Sequence, residues 1–501
     1  MIRKNPIGRG KIILQMGIVL TWGIMMALLV ERTFIKPQAL RISPTLAKEG
    51  IKSGEEWWGV YWKGEKIGFA LTGQEAKGRK IWVKERLWLK LTLLGIPQNV
   101  EQALEYQMDE NLSLEFFTFS LQSGLFPLQV SGRMEDRAAG QGKTLRMKIT
   151  SGGREQVQVM NLPETPYLLG QTKLYLLAQG LEKGRRYRIP AFDPTSLRPA
   201  EMIAEVEGTE TLKIGGEERE LYRVRQEFRG IVAKSWMDRN GQIWKEESPM
   251  GLALMRESKR MAMHQNWSPG KTADLIALTA IPVNREIPNP RSVRFLRVRL
   301  QSASLKGLGI EGDRQRRRGD EIVVRKEEFP PRASDPQGLP WEIKQEALLP
   351  TPFIQSDNPE IQHKARTIVE GVKDPAEQVK RIAAWVYKEL EKRPVVSIPS
   401  ALEVLHQMMG DCNEHAVLFT ALVRAMGIPA RMQAGIIYQE GKFFYHAWAQ
   451  VYLGSWISVD PTLNQIPADA THLRLVTGDL EPQLDLVKVI GRLKVEVMEV
   501  H

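Results

Sequence analysis

The feature that most limits how this chain folds is a period-two alternation of apolar and polar residues from Trp57 to about Arg260. The alternating stretches are short and are separated by Gly, Asn and Asp. Successive side chains of a strand point to opposite faces, so the pattern is typical of antiparallel strands with one face in water. It predicts one large antiparallel β domain over residues 55–270, with a helix near Leu168 to Gln179 lying on the sheet.

Two local features of this region have specific interpretations. Asp238-Arg-Asn-Gly-Gln242 is a strong hairpin signal, because Asn-Gly accepts positive φ at both central turn positions. A group of tryptophans is interpreted as core and sheet-face packing rather than as a ligand cage. The group comprises Trp57, Trp58, Trp62, Trp82 and Trp88.

A smaller β region and a linker follow. Val293–Leu300 and Glu321–Arg325 alternate like strands on either side of a basic run, Arg314-Gln-Arg-Arg-Arg318. They predict a small β subdomain over residues 271–330, and we interpret the basic run as a solvated loop tip rather than a binding site. The proline-dense stretch that follows predicts a linker at residues 331–357, since proline continues neither a sheet ladder nor a helix.

The amino-terminal run from Ile12 to Val30 carries no charged residue. At ~1.5 Å rise per residue a helix over this run covers about 28 Å, close to the thickness of the hydrocarbon layer. It predicts an uncleaved transmembrane anchor within residues 1–35, followed by a linker at residues 36–54. The alternative is a cleaved signal peptide, but the run is long for one and no small-x-small cleavage site precedes Glu31. A buried soluble helix is less favoured, because no polar face interrupts the run.

The charges around this run predict its orientation. Four basic residues precede it, and the positive-inside rule places the short amino end in the cytoplasm. They are Arg3, Lys4, Arg9 and Lys11. The bulk of the chain is then expected in the periplasm or its equivalent, in a single-pass protein of the cell inner membrane. A single cysteine agrees with that compartment, because no disulfide partner exists within the chain.

Composition narrows the classes of partner. Hydrophobic residues at 43% and charged residues at 26% of 501 residues are ordinary for globular protein. The net charge of +11 favours an anionic envelope surface as a field effect. No nucleic-acid-binding module accompanies it, so no nucleic-acid partner is expected. One cysteine excludes a cysteine-rich metal cluster and no acidic loop has calcium-ligand spacing, so neither a metal nor a cofactor is expected. Protein partners stay open.

Residues 358–501 change to the three-and-four spacing of helices. Pro359 to Gly371 reads as a first helix, and Asp374-Pro375 supplies an N-cap and N1 proline for a second over Ala376 to Leu390. Ser400-Ala-Leu-Glu403 is a capping box that opens a third helix. The region therefore begins as a helical layer.

Cys412 lies in Gly410-Asp-Cys-Asn-Glu-His415, at the start of an amphipathic helix predicted to end at Gly427. Backbone N–H groups and the helix dipole stabilise a thiolate there, so we expect a lowered thiol pKa. His446 falls on a following strand and Asp460 at the end of its neighbour, where a carboxylate can hold the imidazole tautomer. The predicted strands are Ala430–Tyr438, Phe443–Leu453 and Trp456–Asp460.

Four motifs around these residues resemble the bacterial transglutaminase-like family, over roughly residues 360–470. They are Gly-Asp-Cys-Asn-Glu-His-Ala, Gly427-Ile-Pro-Ala-Arg431, Tyr445-His-Ala-Trp448 and Trp456-Ile-Ser-Val-Asp-Pro-Thr462. The resemblance implies a papain-like fold with Cys412 as nucleophile, His446 as general base and Asp460 as orienting acid. It also implies acyl transfer from a protein or peptide amide, with the Cys412 N–H in the oxyanion hole. Members of the family commonly carry Glu where this chain has Gln450, so one charge is missing.

These interpretations combine into an α+β chain with an N-terminal transmembrane helix, a large antiparallel β domain, a small β subdomain and a C-terminal papain-like, transglutaminase-like domain. The function expected is that of an outward-facing thiol acyltransferase or amidohydrolase. The alternatives are a catalytically idle scaffold that binds envelope peptides and a cysteine protease with water as acceptor. His415 is interpreted as a supporting residue, and Asn464 to His472 as a loop.

Overall fold

The computed structural model describes residues 53–124, 127–137, 142–248, 251–264, 274, 276, 279–302, 305, 307–331, 340–479, 483 and 485–501. The predicted transmembrane anchor lies outside the described residues. Among the residues described, no helix combines the length and the apolar character needed to cross a bilayer.

The period-two region folds into one sheet of fifteen strands. The strands are β1 (Gly54–Trp62), β2 (Glu65–Lys77), β3 (Lys80–Leu93), β4 (Ile96–Asp109), β5 (Leu114–Ser123), β6 (Leu128–Asp136), β7 (Lys143–Ser151), β8 (Arg154–Leu162), β9 (Tyr167–Leu168), β10 (Arg186–Asp193), β11 (Arg198–Ile214), β12 (Glu217–Phe228), β13 (Ile231–Met237), β14 (Ile243–Glu247) and β15 (Leu252–Glu257). Adjacent strands are antiparallel except for the short β9, which pairs parallel with β10. The large antiparallel sheet predicted from the alternation is confirmed.

The sheet consists of two meanders, β1 to β8 and β9 to β15, joined where β1 pairs with β15. In that junction Trp57 lies opposite Glu257 and Trp62 lies opposite Leu252. A short 3₁₀ turn, Leu169–Gln171, leads into helix α1 (Thr172–Gln179). Leu176 of α1 is fully buried in the core of the sheet, which confirms the predicted helix. Among the tryptophans, Trp58 and Trp62 are buried and Trp82 is exposed.

The predicted hairpin joins β13 and β14, but its turn differs from the expected one. The Asp238 carboxylate accepts the N–H groups of Asn240 (2.9 Å) and Gln242 (3.0 Å). Of the two central residues only Gly241 has a positive φ, at 73°. The turn is therefore a longer loop closed by the Asp238 side chain, not a two-residue turn with both residues left-handed.

The carboxy-terminal region consists of helices packed around one buried helix, which begins at Cys412. After the short α2 (Lys259–Met263) come α3 (Trp341–Leu348), α4 (Pro359–Ile368), α5 (Pro375–Glu389), α6 (Ala401–Gln407) and α7 (Cys412–Ala425). The caps predicted for α5 and α6 are present, since Asp374 accepts from Ala376 N–H (3.3 Å) and Ser400 from Glu403 N–H (3.4 Å). Helix α7 is buried from Glu414 to Arg424 and packs against α4, α5 and α6. Helix α3 lies inside the stretch predicted as a linker.

Two sheets complete this region, and a two-residue bridge, β20 (Glu391–Lys392) with β21 (Met409–Gly410), holds the chain just before Cys412. The first sheet runs in the order β16-β23-β22-β25, with β24 on β23, and α7 packs on β22 and β23. The second runs β18-β19-β17-β26. The strands are β16 (Ile281–Pro282), β17 (Phe295–Gln301), β18 (Gln315–Arg318), β19 (Glu321–Arg325), β22 (Ala430–Gln439), β23 (Lys442–Tyr452), β24 (Trp456–Val459), β25 (Leu473–Thr477) and β26 (Lys494–Val500).

The small sheet is closed by the last strand of the chain and shares a core with the sheet that carries His446. Leu296 and Val298 of β17 belong to the same apolar cluster as Ile436 and Phe443. The basic run is part of this sheet, so its interpretation as a solvated loop tip is wrong at Arg314, which is 7% exposed. Its guanidinium binds main-chain oxygens and a carboxylate instead of water.

The large sheet contacts segments that precede Cys412. Ser151 donates to the buried Glu403 carboxylate (3.4 Å), and Gln98 donates to the carbonyl of Pro394 (3.2 Å). Arg154 forms a two-point ion pair with Asp357 at 3.3 and 3.4 Å. The sheet therefore supports the chain that leads into α7.

Candidate active site

Cys412 is the first residue of α7, and a capping box fixes the turn before it. The Asp411 carboxylate accepts the N–H groups of Asn413 (2.9 Å) and Glu414, while the Glu414 carboxylate accepts the Asp411 N–H (2.8 Å). Gly410 has a φ of +152°, and a Cβ on it would lie 2.2 Å from the Cβ of Glu414. Only glycine fits there, so the packing of Glu414 fixes where the helix begins.

Cys412 is half-buried, and its sulfur lies beside β23. It accepts the backbone N–H of Ala447, the residue that follows His446. Burial, followed by the charge of Asp411, raises the pKa of the thiol well above its ordinary value. The expected lowering of this pKa is therefore wrong, because desolvation, followed by the charge of Asp411, outweighs the hydrogen bond from the Ala447 N–H. The thiol needs a base to ionise.

His446 lies on β23 with its ring directed at Asp460. Its Nε2 is 2.8 Å from Asp460 Oδ2, and the two side chains are 9% and 0% exposed. Asp460 directly follows β24, whose Val459 pairs with Ala449 of β23. A carboxylate only accepts, so Nε2 carries the ring proton and Nδ1 keeps a lone pair. The fold thus brings the three predicted residues to one place, with the sulfur bonded to the residue next to His446.

A second histidine, His472, contacts the same oxygen of Asp460. Its Nε2 lies 2.9 Å from Oδ2, and its Nδ1 lies 3.3 Å from Asp469 Oδ1. The ring packs edge-on against Trp448, with centroids 5.3 Å apart and planes at 86°. Sequence reasoning placed His472 in a loop, because neither periodicity nor a motif marked it. The only available signal was a polar Asp-Ala-Thr-His run shortly after the strand that leads to Asp460.

The charges of this cluster follow from its contacts. Burial alone would raise the pKa of Asp460, but the charges and hydrogen bonds of His446 and His472 hold it well below its usual range. Burial would lower the pKa of His472, but Asp460 and Asp469 raise it to about 9. His472 is therefore a cation at neutral pH, with both ring N–H groups directed at carboxylates.

His415, expected to be a supporting residue, lies one turn after Cys412 and is fully buried. Its Nδ1 is 2.7 Å from the carbonyl oxygen of Asp411, and this hydrogen bond stabilises the first turn of α7. Its Nε2 has no hydrogen-bond partner within the described chain, and burial lowers its pKa. A neutral ring that holds the turn agrees with a supporting role.

Comparison with known proteins places this geometry in a family. Residues 362–461 match the Transglutaminase-like superfamily. These residues form a transglutaminase-like domain. The match confirms the resemblance inferred from the four motifs and covers His446 and Asp460 together with Cys412.

One curated relative is an uncharacterized protein of Mycobacterium leprae (strain TN), 30% identical over 117 residues. The matched part is 21% of this chain and 41% of the relative, so the chain spans less than half of that relative. It carries no assigned activity that could be transferred.

Two solved structures are similar over larger parts of the chain. A putative cysteine protease from Cytophaga hutchinsonii is 17% identical, with a TM-score of 0.28, and the match covers 42% of this chain and 89% of that one. A beta-barrel-like protein of a domain of unknown function from Brucella abortus is 9% identical, with a TM-score of 0.31, covering 41% and 98%. At such TM-scores neither supports a functional statement.

Gln450 departs from the common glutamate of transglutaminase-like domains, and the structure shows what surrounds it. Its buried Oε1 accepts two N–H groups of Arg431, at 2.8 and 3.0 Å. Asp313, from the loop before β18, binds the same guanidinium at 2.7 Å and Arg474 at 2.6 Å. A carboxylate therefore does face Arg431, but it comes from outside the matched domain.

One potential metal-ligating atom from each of His446, Asp460 and His472 lies within 4.8 Å of the other two. This spacing raises the question of whether the three residues could bind a metal ion. Their contacts are those of a hydrogen-bonded array, since both Nε2 atoms bond to one carboxylate oxygen. A metal ion bound by these atoms would have to replace both of those hydrogen bonds. The donor set therefore fits proton transfer better than metal ligation.

Proposed function

We propose that this protein is a membrane-tethered, outward-facing thiol enzyme that transfers or hydrolyses acyl groups of protein or peptide amides in the cell envelope. Cys412 is the nucleophile, His446 the general base and Asp460 the residue that orients His446. The observation that carries the proposal is the 2.8 Å contact from His446 Nε2 to Asp460, next to a sulfur bonded to Ala447.

The raised pKa of the thiol decides how the reaction begins. A permanent thiolate is not held at the helix start, so the proton leaves the sulfur as the carbonyl carbon is attacked. His446 takes that proton on Nδ1, because Nε2 is engaged by Asp460. The Asp460 carboxylate stabilises the imidazolium that forms, as in other triads of this type.

The same groups complete the cycle. Collapse of the tetrahedral intermediate breaks the C–N bond, and the leaving ammonia or amine takes the proton from His446, which leaves a thioester on Cys412. An amine or water then attacks the thioester and gives its proton to His446, which returns it to the sulfur. The capping contacts use the N–H groups of Asn413 and Glu414, so the Cys412 N–H stays available for the oxyanion.

Alkylation of the thiol tests the triad directly, because Cys412 is the only cysteine of the chain. The rate of modification by iodoacetamide at pH 7 is expected to fall roughly 10²- to 10⁴-fold in His446→Ala, the range for loss of a general base. His406→Ala is the matched control, since that exposed histidine also contacts a carboxylate, at 2.9 Å. Equal rates in wild type and His446→Ala would leave only the idle scaffold.

Product analysis separates transfer from hydrolysis. Incubation with a glutamine-containing peptide should release ammonia, and an added primary amine should enter the peptide if transfer takes place. Ammonia release without amine incorporation would show an amidohydrolase, and backbone cleavage would show a cysteine protease. The Cys412→Ala variant should abolish every one of these products.

The membrane part of the proposal rests on the uncharged run from Ile12 to Val30 and the basic residues before it. An alkaline phosphatase fused after Lys36 should be active, and the same fusion without residues 12–30 should be inactive. Activity in the shortened fusion would contradict the anchor and leave the triad untouched.

A further inference from the structure

We propose that His472 is a positioning residue of the Cys412 site. Its ring holds the Asp460 carboxylate in place against His446, and the ring is itself held by a hydrogen bond to Asp469. This inference rests on the proposed function and extends the array of functional side chains from three to five. It assigns a role to a segment, Asn464 to His472, that carries no motif of its own.

The first support is that both carboxylate oxygens of Asp460 accept two hydrogen bonds each. Oδ2 meets two imidazole nitrogens, at 2.8 Å from His446 and 2.9 Å from His472. Oδ1 accepts the backbone N–H groups of Thr462 (2.8 Å) and Leu463 (3.0 Å). With four donors on a side chain that is 0% exposed, the carboxylate has one orientation.

The second support is that His472 is itself held on both ring nitrogens. Asp469, which faces Nδ1, is fixed by the N–H and hydroxyl of Thr471, at 2.8 and 2.6 Å. Gln465 accepts the Asp469 N–H at 2.9 Å. A buried ring that merely filled space would need neither carboxylate, so the polar contacts set where Nε2 points.

The third support is a set of hydrogen bonds and one ion pair contributed by residues next to strands of the small sheet. Arg314, whose side chain is 1% exposed, donates to the carbonyls of Ala468 (3.0 Å) and Asp469 (2.6 Å) and pairs with Glu327 at 3.0 Å. Glu327 in turn accepts from the N–H and hydroxyl of Ser458 on β24, two residues before Asp460. The segment with His472 and the strand that presents Asp460 are thus tied together through one ion pair.

The consequence concerns what Asp460 can do for His446. A carboxylate bonded to one imidazole alone can rotate or bind water when that ring moves during proton transfer. Here a second, cationic ring keeps Oδ2 in place, so His446 keeps its Nε2–H tautomer through the cycle. The charged and titratable groups that face His472 are Asp460, Asp469 and His446, with Arg314 behind Asp469.

The test uses the pH profile of Cys412 alkylation in the full chain, with two substitutions. His472→Phe removes both donors and keeps a planar ring, while His472→Gln keeps one donor for Asp460 without a charge. The matched control is His406→Gln, an exposed histidine that also contacts a carboxylate. We expect His472→Phe to slow alkylation at pH 7 roughly tenfold to a hundredfold, the cost of losing a group that orients a functional histidine.

His472→Gln is expected to recover most of the rate while the midpoint of its pH profile moves, because the donor is restored and the charge is not. If His472→Phe does not fold, His472→Gln decides alone. A folded His472→Gln whose pH profile superimposes on that of wild type would overturn the inference. If His446→Ala also reacts like wild type, the proposed function fails as well; if His446→Ala is slow, only the role of His472 is lost.

Discussion

Two buried carboxyl groups lie on opposite sides of the Cys412 site, and their pKa values are shifted in opposite directions. Asp460, on the sheet side, is 0% exposed, and Glu414, on the helix side, is 1% exposed. The pKa of Asp460 is held well below its usual range by two imidazoles, whereas burial, followed by the charge of Asp411, raises that of Glu414 well above it. Equal burial therefore accompanies a lowered pKa in one case and a raised pKa in the other.

The difference lies in the partners. Asp460 meets two ring N–H groups, one of them cationic, so its charge is compensated where it is buried. Glu414 meets a backbone N–H and the Ser397 hydroxyl, next to the like charge of Asp411. The cationic partner of a buried carboxylate thus lies on the sheet side, where the base is oriented, whereas Glu414 on the helix side has the negative charge of Asp411 as its neighbour.

The largest effect expected from this comparison is that of Asp460→Asn. It leaves the His472 cation buried with one carboxylate, and removing one partner of a buried pair costs about 3–5 kcal/mol of unfolding free energy. Urea unfolding at pH 7 measures it. Asp357→Asn is the control, since its pair with Arg154 is 50% and 38% exposed and is worth at most about 1 kcal/mol. Equal losses in the two variants would contradict the description of Asp460 as a compensated buried anion.

The pH dependence of stability tests the same charges. The pKa of His472 is raised to about 9, so its contribution is fully present below ~6.5, the unfolded value, and is lost as the pH rises through about 9. The loss should be roughly 3 kcal/mol between pH 6.5 and 9.5. Asp460 has a lowered pKa and acts in the opposite direction, with stability lost as the pH falls below ~3.9.

Because Asp460 and His472 share one hydrogen bond, the two contributions describe one energy and are not added. Urea unfolding across the pH range, in wild type and His472→Gln, measures the alkaline part. The substituted chain should lack the decline above pH 6.5. Parallel curves for the two proteins would show that His472 is not a buried cation.

On the helix side, Gly410→Ala should cost about 2 kcal/mol or more, because the new Cβ would meet the Cβ of Glu414 at 2.2 Å. It should also slow Cys412 alkylation, since the first turn of α7 must shift. Gly427→Ala, at a φ of +74° with open space around the new Cβ, should cost roughly 1 kcal/mol and leave alkylation unchanged. If both variants alkylate at the wild-type rate, the capping turn does not position the thiol.

The smallest effect is expected for Glu414→Gln. Burial and the charge of Asp411 raise the pKa of Glu414, so at pH 4, where the carboxyl group is largely protonated in the unfolded chain too, an amide that still accepts the Asp411 N–H should change stability by less than about 1 kcal/mol. The raised pKa also makes the wild type lose stability as the pH rises above ~4.3, and the variant should not. Thermal unfolding at pH 4 and pH 7 checks both statements. A loss as large as that of Asp460→Asn would mean that Glu414 is ionised.

Much of the local structure followed from the sequence. The period-two alternation predicted the large sheet, and Asp374-Pro375 and Ser400 to Glu403 predicted two helix starts, because strand faces and caps depend on residues that are close in the chain. The order of Cys412, His446 and Asp460 predicted the contact of His446 with Asp460 and a position for Cys412 beside the strand that carries His446. Helix α3 lies inside a proline-dense stretch and was not predicted. A high proline content indicates that regular structure is interrupted, but it does not show at which residue a helix begins again.

The remaining part of the site could not be predicted for a different reason. His472 lies 12 residues from Asp460 in an irregular segment, and Arg314 reaches Asp469 from 155 residues away. No periodicity connects such residues. The basic run around Arg314 has the composition of a solvated tip, and Arg316 and Arg318 are indeed exposed, but tertiary packing buries Arg314 and Gln315.

The sequence by itself determined the strand and helix content, the start of α7 at Cys412 and the transglutaminase-like motifs, since each depends on neighbouring residues and their intrinsic geometry. The tertiary structure alone decided the joining of the two meanders through β1 and β15, the completion of the small sheet by the last strand, and the directions in which the pKa values of Cys412, Asp460, Glu414 and His472 are shifted. A pKa depends on desolvation and on charges brought within a few ångströms, and those distances exist only after the chain has packed.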